Sequence, residues 1–184
     1  NIEVIKLYCE PNGDFPHNPS PLKKNLTELS KKVIECNADL GIAVDPDVDR
    51  LVFVCEDGEL FGEENTLVAC ADYVLSKTPG STVSNLSSSR ALNDITKKHN
   101  QVHYYSAVGE VNVVDKMKKC KAVIGGEGNG GVIYPKSHYG RDSIVGIGLF
   151  LSLYVERGLI ASKLLETYPK YFMVKEKINL SPSL

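Results

Sequence analysis

Residues 40–55 read LGIAVDPDVDRLVFVC, in which two apolar runs, 40–44 and 51–55, flank an acidic turn. Short apolar runs that are rich in β-branched residues and bounded by turn residues are typical of buried strands. The turn between them, DPDVDR, carries three aspartates. The stretch therefore predicts two strands joined by a turn that concentrates negative charge.

The three aspartates of this turn, Asp45, Asp47 and Asp49, alternate with other residues and so lie close to one another. Each close pair of carboxylates costs about 1 kcal/mol even in water, so a turn that directs all three at one point is stabilised by a cation. Carboxylate oxygens are hard ligands that select magnesium or calcium over zinc. We predict that the three residues bind one of these two cations and leave coordination positions for water or a phosphate oxygen.

Other interpretations of the acidic turn stay open. Aspartate and proline are ordinary residues of a polar surface turn, which needs no cation. An EF-hand is excluded, because Arg50 stands where its loop requires glycine and because the flanking segments are predicted strands. An aspartyl-phosphate phosphatase also carries such a turn after a buried strand. Asp45 would then be the nucleophile and Asp47 the general acid.

The rest of the chain predicts an α/β fold class with a mixed, mainly parallel sheet flanked by helices, because strands alternate with helices. Upstream of the acidic turn, we predict a strand over 2–8, an irregular segment over 11–21 and a helix over 25–36. Downstream, the predicted strands are 81–86, 102–105, 122–124 and 132–134, and the predicted helices are 63–75, 91–99, 111–120, 143–157 and 161–166.

A glycine-rich segment, GGEGNGG at residues 125–131, lies between two of these strands. It formally matches the dinucleotide motif GxGxxG, but a strand follows it instead of the helix that would bind pyrophosphate. Turn chemistry alone would also account for its glycines. Glycine lets a ligand approach the backbone, and carboxylates and amides bond hydroxyl groups. We therefore predict that Glu127, Gly128 and Asn129 contact a sugar.

Two further candidates, His138 and Arg141, precede the predicted helix 143–157. Both carry or can acquire positive charge, so we predict contacts with a phosphate group or another part of an anionic substrate. Asp142 follows Arg141 and is a typical N-cap for that helix.

The composition of the 184 residues is that of an ordinary globular protein, with 42% hydrophobic and 24% charged residues. The formal net charge of −2 gives no basic field for nucleic acid or an anionic membrane. No apolar run is long enough to span a bilayer, and no signal peptide is evident. The five cysteines are scattered and odd in number, which favours reduced thiols and a cytoplasmic location.

Taken in order, several motifs resemble those of the α-D-phosphohexomutase superfamily, which includes phosphoglucomutase, phosphomannomutase and phosphoglucosamine mutase. The matching segments are FPHNP at 15–19, DPDVDR at 45–50, VG at 108–109, GEGNG at 126–130 and RD at 141–142. The resemblance implies a four-domain, magnesium-dependent isomerase. Such an enzyme interconverts hexose 6-phosphate and hexose 1-phosphate through a phosphoserine and a bisphosphorylated intermediate.

The resemblance also implies roles for individual residues. It assigns the magnesium to the three aspartates, and Arg50 resembles the basic residue beside the phosphoserine. Glu127 resembles the sugar-contacting glutamate. Asn129 stands where many members have serine, and Gly131 replaces a histidine that often follows the loop. This form of the loop looks more like that of phosphoglucosamine mutases than that of animal phosphoglucomutases.

By the same resemblance, the chain is expected to be an internal fragment. Residues 1–60 would be the latter part of domain two, 61–172 the complete domain three, and 173–184 a linker toward an absent fourth domain. No segment resembles the serine-bearing motif or the C-terminal phosphate-binding loop, so we predict that the isolated chain is inactive. Its expected partners are a phosphosugar and the remaining domains of the polypeptide. A non-enzymatic module that binds calcium or a sugar phosphate is a further alternative.

Overall fold

The computed structural model describes residues 2–174 and contains two sheets. β1 (Leu40–Val44) and β2 (Leu51–Cys55) form an antiparallel hairpin, as the apolar runs predict. The second sheet has the strand order β4-β3-β5-β6. Its strands are β3 (Thr82–Asn85), β4 (His103–Ser106), β5 (Ile124–Glu127) and β6 (Gly131–Ile133).

The helices lie between and around these strands. A single 3-10 turn, Lys23–Asn25, precedes the first of them. The helices are α1 (Thr27–Glu35), α2 (Glu63–Lys77), α3 (Ala91–Lys98), α4 (Glu110–Cys120), α5 (Ser143–Arg157) and α6 (Ala161–Glu166). Within the described residues, none of these helices has the length and apolarity needed to cross a membrane.

The four-stranded sheet is mixed and mainly parallel, which confirms the predicted fold class. β3 lies at its centre and pairs in parallel with both β4 and β5, whereas β6 returns antiparallel to β5. The carboxyl ends of β3 and β5 therefore meet at one edge of the sheet. The sequence predicted a strand over 122–124, whereas β5 runs from Ile124 to Glu127. The strand extends further because its glycines pair with β3 and β6 instead of forming a free turn.

The hairpin is joined to the rest of the molecule by an aromatic core. All of β2 is buried. The ring of Phe53 stacks on that of Phe150 in α5 at a centroid distance of 3.7 Å. Phe61 packs edge-on against the same ring at 5.0 Å. This packing holds the turn between β1 and β2 in a fixed position relative to α5.

The predicted strand over residues 2–8 is wrong. The described structure has no strand there, and Ile2 and Val4 are 78% and 73% exposed. A β-rich sequence needs a neighbouring strand for its backbone hydrogen bonds, and no described segment pairs with this one. The proline-rich segment that follows is irregular, as predicted. Most of the predicted linker, 175–184, lies outside the described residues.

Candidate metal and sugar-binding site

Asp45 organises the acidic turn that follows β1. Its side chain is buried, and its Oδ1 accepts hydrogen bonds from the backbone N–H groups of Asp49 at 3.1 Å and Arg50 at 3.0 Å. Val48 donates its own N–H to the carbonyl oxygen of Asp45 at 3.0 Å and has a φ of 59°. The buried carboxylate of Asp45 thus holds the turn in shape through hydrogen bonds to its backbone.

The three predicted ligands are brought together by this turn. One carboxylate oxygen from each of Asp45, Asp47 and Asp49 lies within 4.8 Å of the other two. Asp45 is buried, Asp49 half-buried and Asp47 exposed, so the cluster opens toward solvent on one side. An all-oxygen donor set of this kind fits Mg2+ or Ca2+. The three residues could therefore hold such an ion.

Arg50 supplies positive charge beside the cluster. Its Nε lies 2.5 Å from Oδ2 of Asp45 and 3.6 Å from Oδ1 of Asp49. Burial acts to raise the pKa of Asp45, but hydrogen bonds from the backbone and side chain of Arg50 outweigh it and lower that pKa. Burial and the neighbouring aspartates instead raise the pKa of Asp49 to about 6, against the opposing charge of Arg141. The negatively charged form of the carboxyl group is therefore less stabilised at Asp49 than at Asp45.

Glu127, the predicted sugar contact, ends β5 and is only 6% exposed. Its Oε1 accepts a hydrogen bond from Nδ2 of Asn85 at 2.6 Å, and its Oε2 accepts one from Nη1 of Arg141 at 3.1 Å. Asn129 donates from Nδ2 to the same Oε2 at 3.5 Å. Donors thus hold both carboxylate oxygens at the edge of the sheet.

Asn85 is held in turn by two serine hydroxyl groups. Its Oδ1 accepts from Ser87 at 3.0 Å and from Ser88 at 2.8 Å, which leaves Nδ2 to face Glu127. The Ser88 oxygen also accepts the backbone N–H of Gly128 at 2.8 Å. The loop after β3 therefore fixes both the glutamate and the backbone of the glycine segment.

Two glycines of the segment are required by close backbone approach. A Cβ on Gly126 would lie 2.0 Å from the carbonyl oxygen of Gly131, and a Cβ on Gly130 would lie 2.4 Å from that of Leu51. Their φ values of 157° and 93° also disfavour other residues. Gly128 lies against Glu64, whose Oε1 would be 2.2 Å from an added Cβ.

The acidic turn and the glycine segment contact each other directly. Leu51 donates its N–H to the carbonyl oxygen of Gly130 at 3.0 Å. Arg141 then pairs with carboxylates on both sides, through Nη2 with Asp49 and through Nη1 with Glu127 at 3.1 Å. The candidate metal and sugar residues therefore belong to one continuous site.

The structure brings several of the predicted candidates together and adds residues that the sequence did not indicate. His138 bonds Asp142 at 2.8 Å and the backbone N–H of Gly140 at 3.0 Å, so its described contacts lie beside the site. Asp142 is the N-cap of α5, as predicted. Asn85 and Glu110 were not predicted as site residues. The signal for Asn85 was its place at the end of a strand that runs parallel to the one ending in Glu127.

Comparison with known proteins agrees with the motif order. Residues 63–171 match the family described as phosphoglucomutase/phosphomannomutase, alpha/beta/alpha domain III, and residues 1–58 match its domain II. A probable phosphoglucosamine mutase of Methanopyrus kandleri is 34% identical over 99% of this chain and 41% of its own length. A phosphoglucomutase/phosphomannomutase of Thermococcus kodakarensis is 33% identical over 95% of this chain and 39% of its own length.

Solved structures show the same relationship. A phosphoglucomutase/phosphomannomutase family protein of Burkholderia thailandensis superposes with a TM-score of 0.81 at 28% identity, over 91% of this chain and 37% of that one. The chain spans about two fifths of the curated relatives it matches, at 41% and 39% of their lengths. The chain belongs to the phosphoglucomutase/phosphomannomutase family of the phosphohexomutase superfamily.

Proposed function

We propose that this chain supplies the metal-binding and sugar-binding loops of a magnesium-dependent phosphohexomutase. The enzyme would interconvert hexose 6-phosphate and hexose 1-phosphate through a phosphoserine and a bisphosphorylated intermediate. The observation that carries the proposal is the direct connection of the carboxylate triad to buried Glu127 through Arg141. In this proposal, residues 1–60 are the latter part of domain two, 61–172 are domain three and 173–184 form a linker.

Asp45, Asp47 and Asp49 are the proposed metal ligands. When bound, Mg2+ would neutralise charge that develops on the transferred phosphoryl group. Arg50 is proposed to support the same charge from beside Asp45. Its side chain is 33% exposed, and its described contacts with Asp45 and Asp49 are made through Nε, so its Nη groups can donate to an approaching phosphate.

Glu127 and Asn129 are the proposed sugar contacts. Donors at both oxygens hold the Glu127 carboxylate in one orientation, so the lone pair that remains on Oε1 could accept a sugar hydroxyl group without further ordering of the side chain. The N–H of Gly128 is already bonded to Ser88, so Gly128 would contribute close approach rather than a donor. A loop that binds hydroxyl groups instead of phosphate would accept the intermediate in both orientations.

The geometry does not favour Asp45 as the nucleophile of an aspartyl-phosphate phosphatase. Its Oδ1 accepts two backbone N–H groups, and its Oδ2 lies 2.5 Å from Nε of Arg50. A nucleophilic carboxylate oxygen must be able to approach phosphorus. Hydrogen bonds to both oxygens lower the nucleophilicity of this buried carboxylate, whereas Oδ2 retains a lone pair that can coordinate a cation.

Calorimetric titration with Mg2+ tests the metal site in the chain itself. We expect saturable binding that D47N weakens by about 10-fold or more, because the change removes one charged ligand. Asp47 is the exposed member of the triad, so the substitution should leave the fold intact. D115N, at an exposed position of α4, removes the same charge elsewhere and should leave the affinity unchanged. Equal effects of the two variants, or tight Ca2+ binding with no response to Mg2+, would contradict the proposal.

A further inference from the structure

Arg141 faces three carboxylates that come from three separate segments. Its Nη2 pairs with Asp49 in the acidic turn, its Nη1 with Glu127 at 3.1 Å, and its Nε with Glu110 at 3.0 Å. Glu110 is the first residue of α4. The Arg141 side chain is 18% exposed, so these charges interact with little screening by solvent. One positive charge is thus shared among three negative ones.

The guanidinium is fixed in place by the backbone and by its own aliphatic stem. The backbone N–H of Arg141 donates to Oε1 of Glu110 at 3.2 Å. Its Cδ lies over Gly131, where an added Cβ would approach it to 2.4 Å. A planar guanidinium directs each N–H along a set line, so the three carboxylates cannot be exchanged freely among its nitrogens.

A divalent cation at the triad would compete with Arg141 for Asp49. Both are positively charged, and both would use the carboxylate of that residue. Their mutual repulsion falls off with distance and is stronger at partly buried positions than in bulk water. Weakening of the contact with Asp49 leaves the guanidinium more fully available to Glu127.

We infer that Arg141 is a positioning residue that couples the cation site to the sugar-contacting carboxylate. This inference rests on the proposed function and goes beyond it. Cation binding loosens the Arg141–Asp49 pair and strengthens the hold on Glu127. Because coupling is reciprocal, a change at Glu127 alters cation affinity although Glu127 does not touch the triad.

A double-mutant cycle in the full 184-residue chain tests the coupling, with Mg2+ affinity measured by calorimetry. R141M removes the competing charge and should tighten Mg2+ binding by about five- to tenfold, a typical size for coupling between sites. E127Q frees Arg141 for Asp49 and should weaken binding. In the R141M background, the same E127Q change should have at most half that effect, expressed as log affinity.

R157M is the matched control, because Arg157 pairs with a buried carboxylate, Asp72, outside the site. It should leave Mg2+ affinity unchanged. Circular dichroism establishes that each variant is folded, and R141K provides a second, more conservative change. Because R141K keeps the charge, it should bind Mg2+ more weakly than R141M does.

Unchanged or weaker binding by folded R141M, or an equal effect of E127Q in both backgrounds, would overturn the inference. Failure of both the unsubstituted chain and R141M to bind Mg2+ would overturn the inference and the proposed metal site together. Binding by R141M alone would support the inference. If D47N weakens Mg2+ binding and R141M leaves it unchanged, the proposed metal site stands and only the inferred coupling is contradicted.

Discussion

The acidic turn at residues 45–50 and the glycine segment at 125–131 each connect two antiparallel strands, but they are held by opposite means. A charged side chain closes the first, since Asp45 accepts backbone N–H groups from within the turn. Close backbone contact closes the second, where Gly126 and Gly130 leave no room for a Cβ. Substitution of side-chain charge should therefore disturb the turn, and added volume should disturb the segment.

The largest expected effect is steric and falls on the glycine segment. G126A places a methyl group against the carbonyl oxygen of Gly131 and should lower the free energy of unfolding by about 3 kcal/mol. Urea denaturation measures the change. G148A is the control, because Gly148 lies in α5 with open space around it and alanine there should stabilise by about 0.5–1 kcal/mol. Equal effects would show that backbone approach does not define the segment.

The next effect is electrostatic and separates two members of the triad. In D45N, the side-chain oxygen can still accept the backbone N–H groups, but the new amide NH2 group faces the Arg50 guanidinium, which is also a donor. The substitution should therefore destabilise the fold by about 2 kcal/mol. D47N removes an exposed charge from a repelling cluster and should change stability by less than about 0.5 kcal/mol. Thermal unfolding of both variants without metal compares them directly. A large loss with D47N would indicate that the Asp47 carboxylate stabilises the turn instead of repelling its neighbours.

A smaller effect is expected where Asn85, at the end of β3, supports the glycine segment. N85A removes the donor to Oε1 of Glu127 and should cost about 1–2 kcal/mol, because that oxygen is buried. S87A removes one of the two hydroxyl groups on Asn85 and should cost less. Urea unfolding gives both values. A larger loss with S87A than with N85A would contradict the interpretation that Asn85 holds Glu127 and that the serine hydroxyl groups only orient Asn85.

A separate effect, which appears only on acidification, is a pH dependence that involves neither loop. Burial lowers the pKa of His103 to about 4, and its ring nitrogens contact Thr82 and Ser84. Because the unfolded chain takes up this proton first, the contribution of His103 to stability is present above about pH 6.5 and is lost as the pH falls toward 4. H103Q should flatten this part of the stability profile. An unchanged profile would mean that the half-buried imidazole of His103 is not the titrating group.

Local signals in the sequence were sufficient to predict the hairpin strands and the clustering of the three aspartates. The apolar runs around residues 45–50 specify the hairpin, and the spacing of the three aspartates requires that they share one turn. The strand predicted over 2–8 was wrong because strand formation depends on a partner as well as on composition. The extension of β5 to Glu127 was missed for the same reason, since pairing with β3 and β6 decides it.

The contacts between loops could not be predicted from local sequence. Asn85 reaches Glu127 only because β3 and β5 are parallel neighbours, and Glu110 reaches Arg141 only because α4 begins at the same edge. Arg141 was predicted to contact an anionic ligand. The structure shows its guanidinium among three carboxylates, an arrangement that depends on distant segments meeting in space.

The most direct measurement is the mutase activity of a chimera in which this chain replaces the matching segment of the Methanopyrus kandleri relative. We expect it to interconvert hexose 6-phosphate and hexose 1-phosphate, while the 184-residue chain alone does not. D47N should lower turnover by about 100-fold or more, and D115N should not. A folded chimera without turnover, or one indifferent to D47N, would contradict the claim that the triad and Glu127 form one phosphohexomutase site.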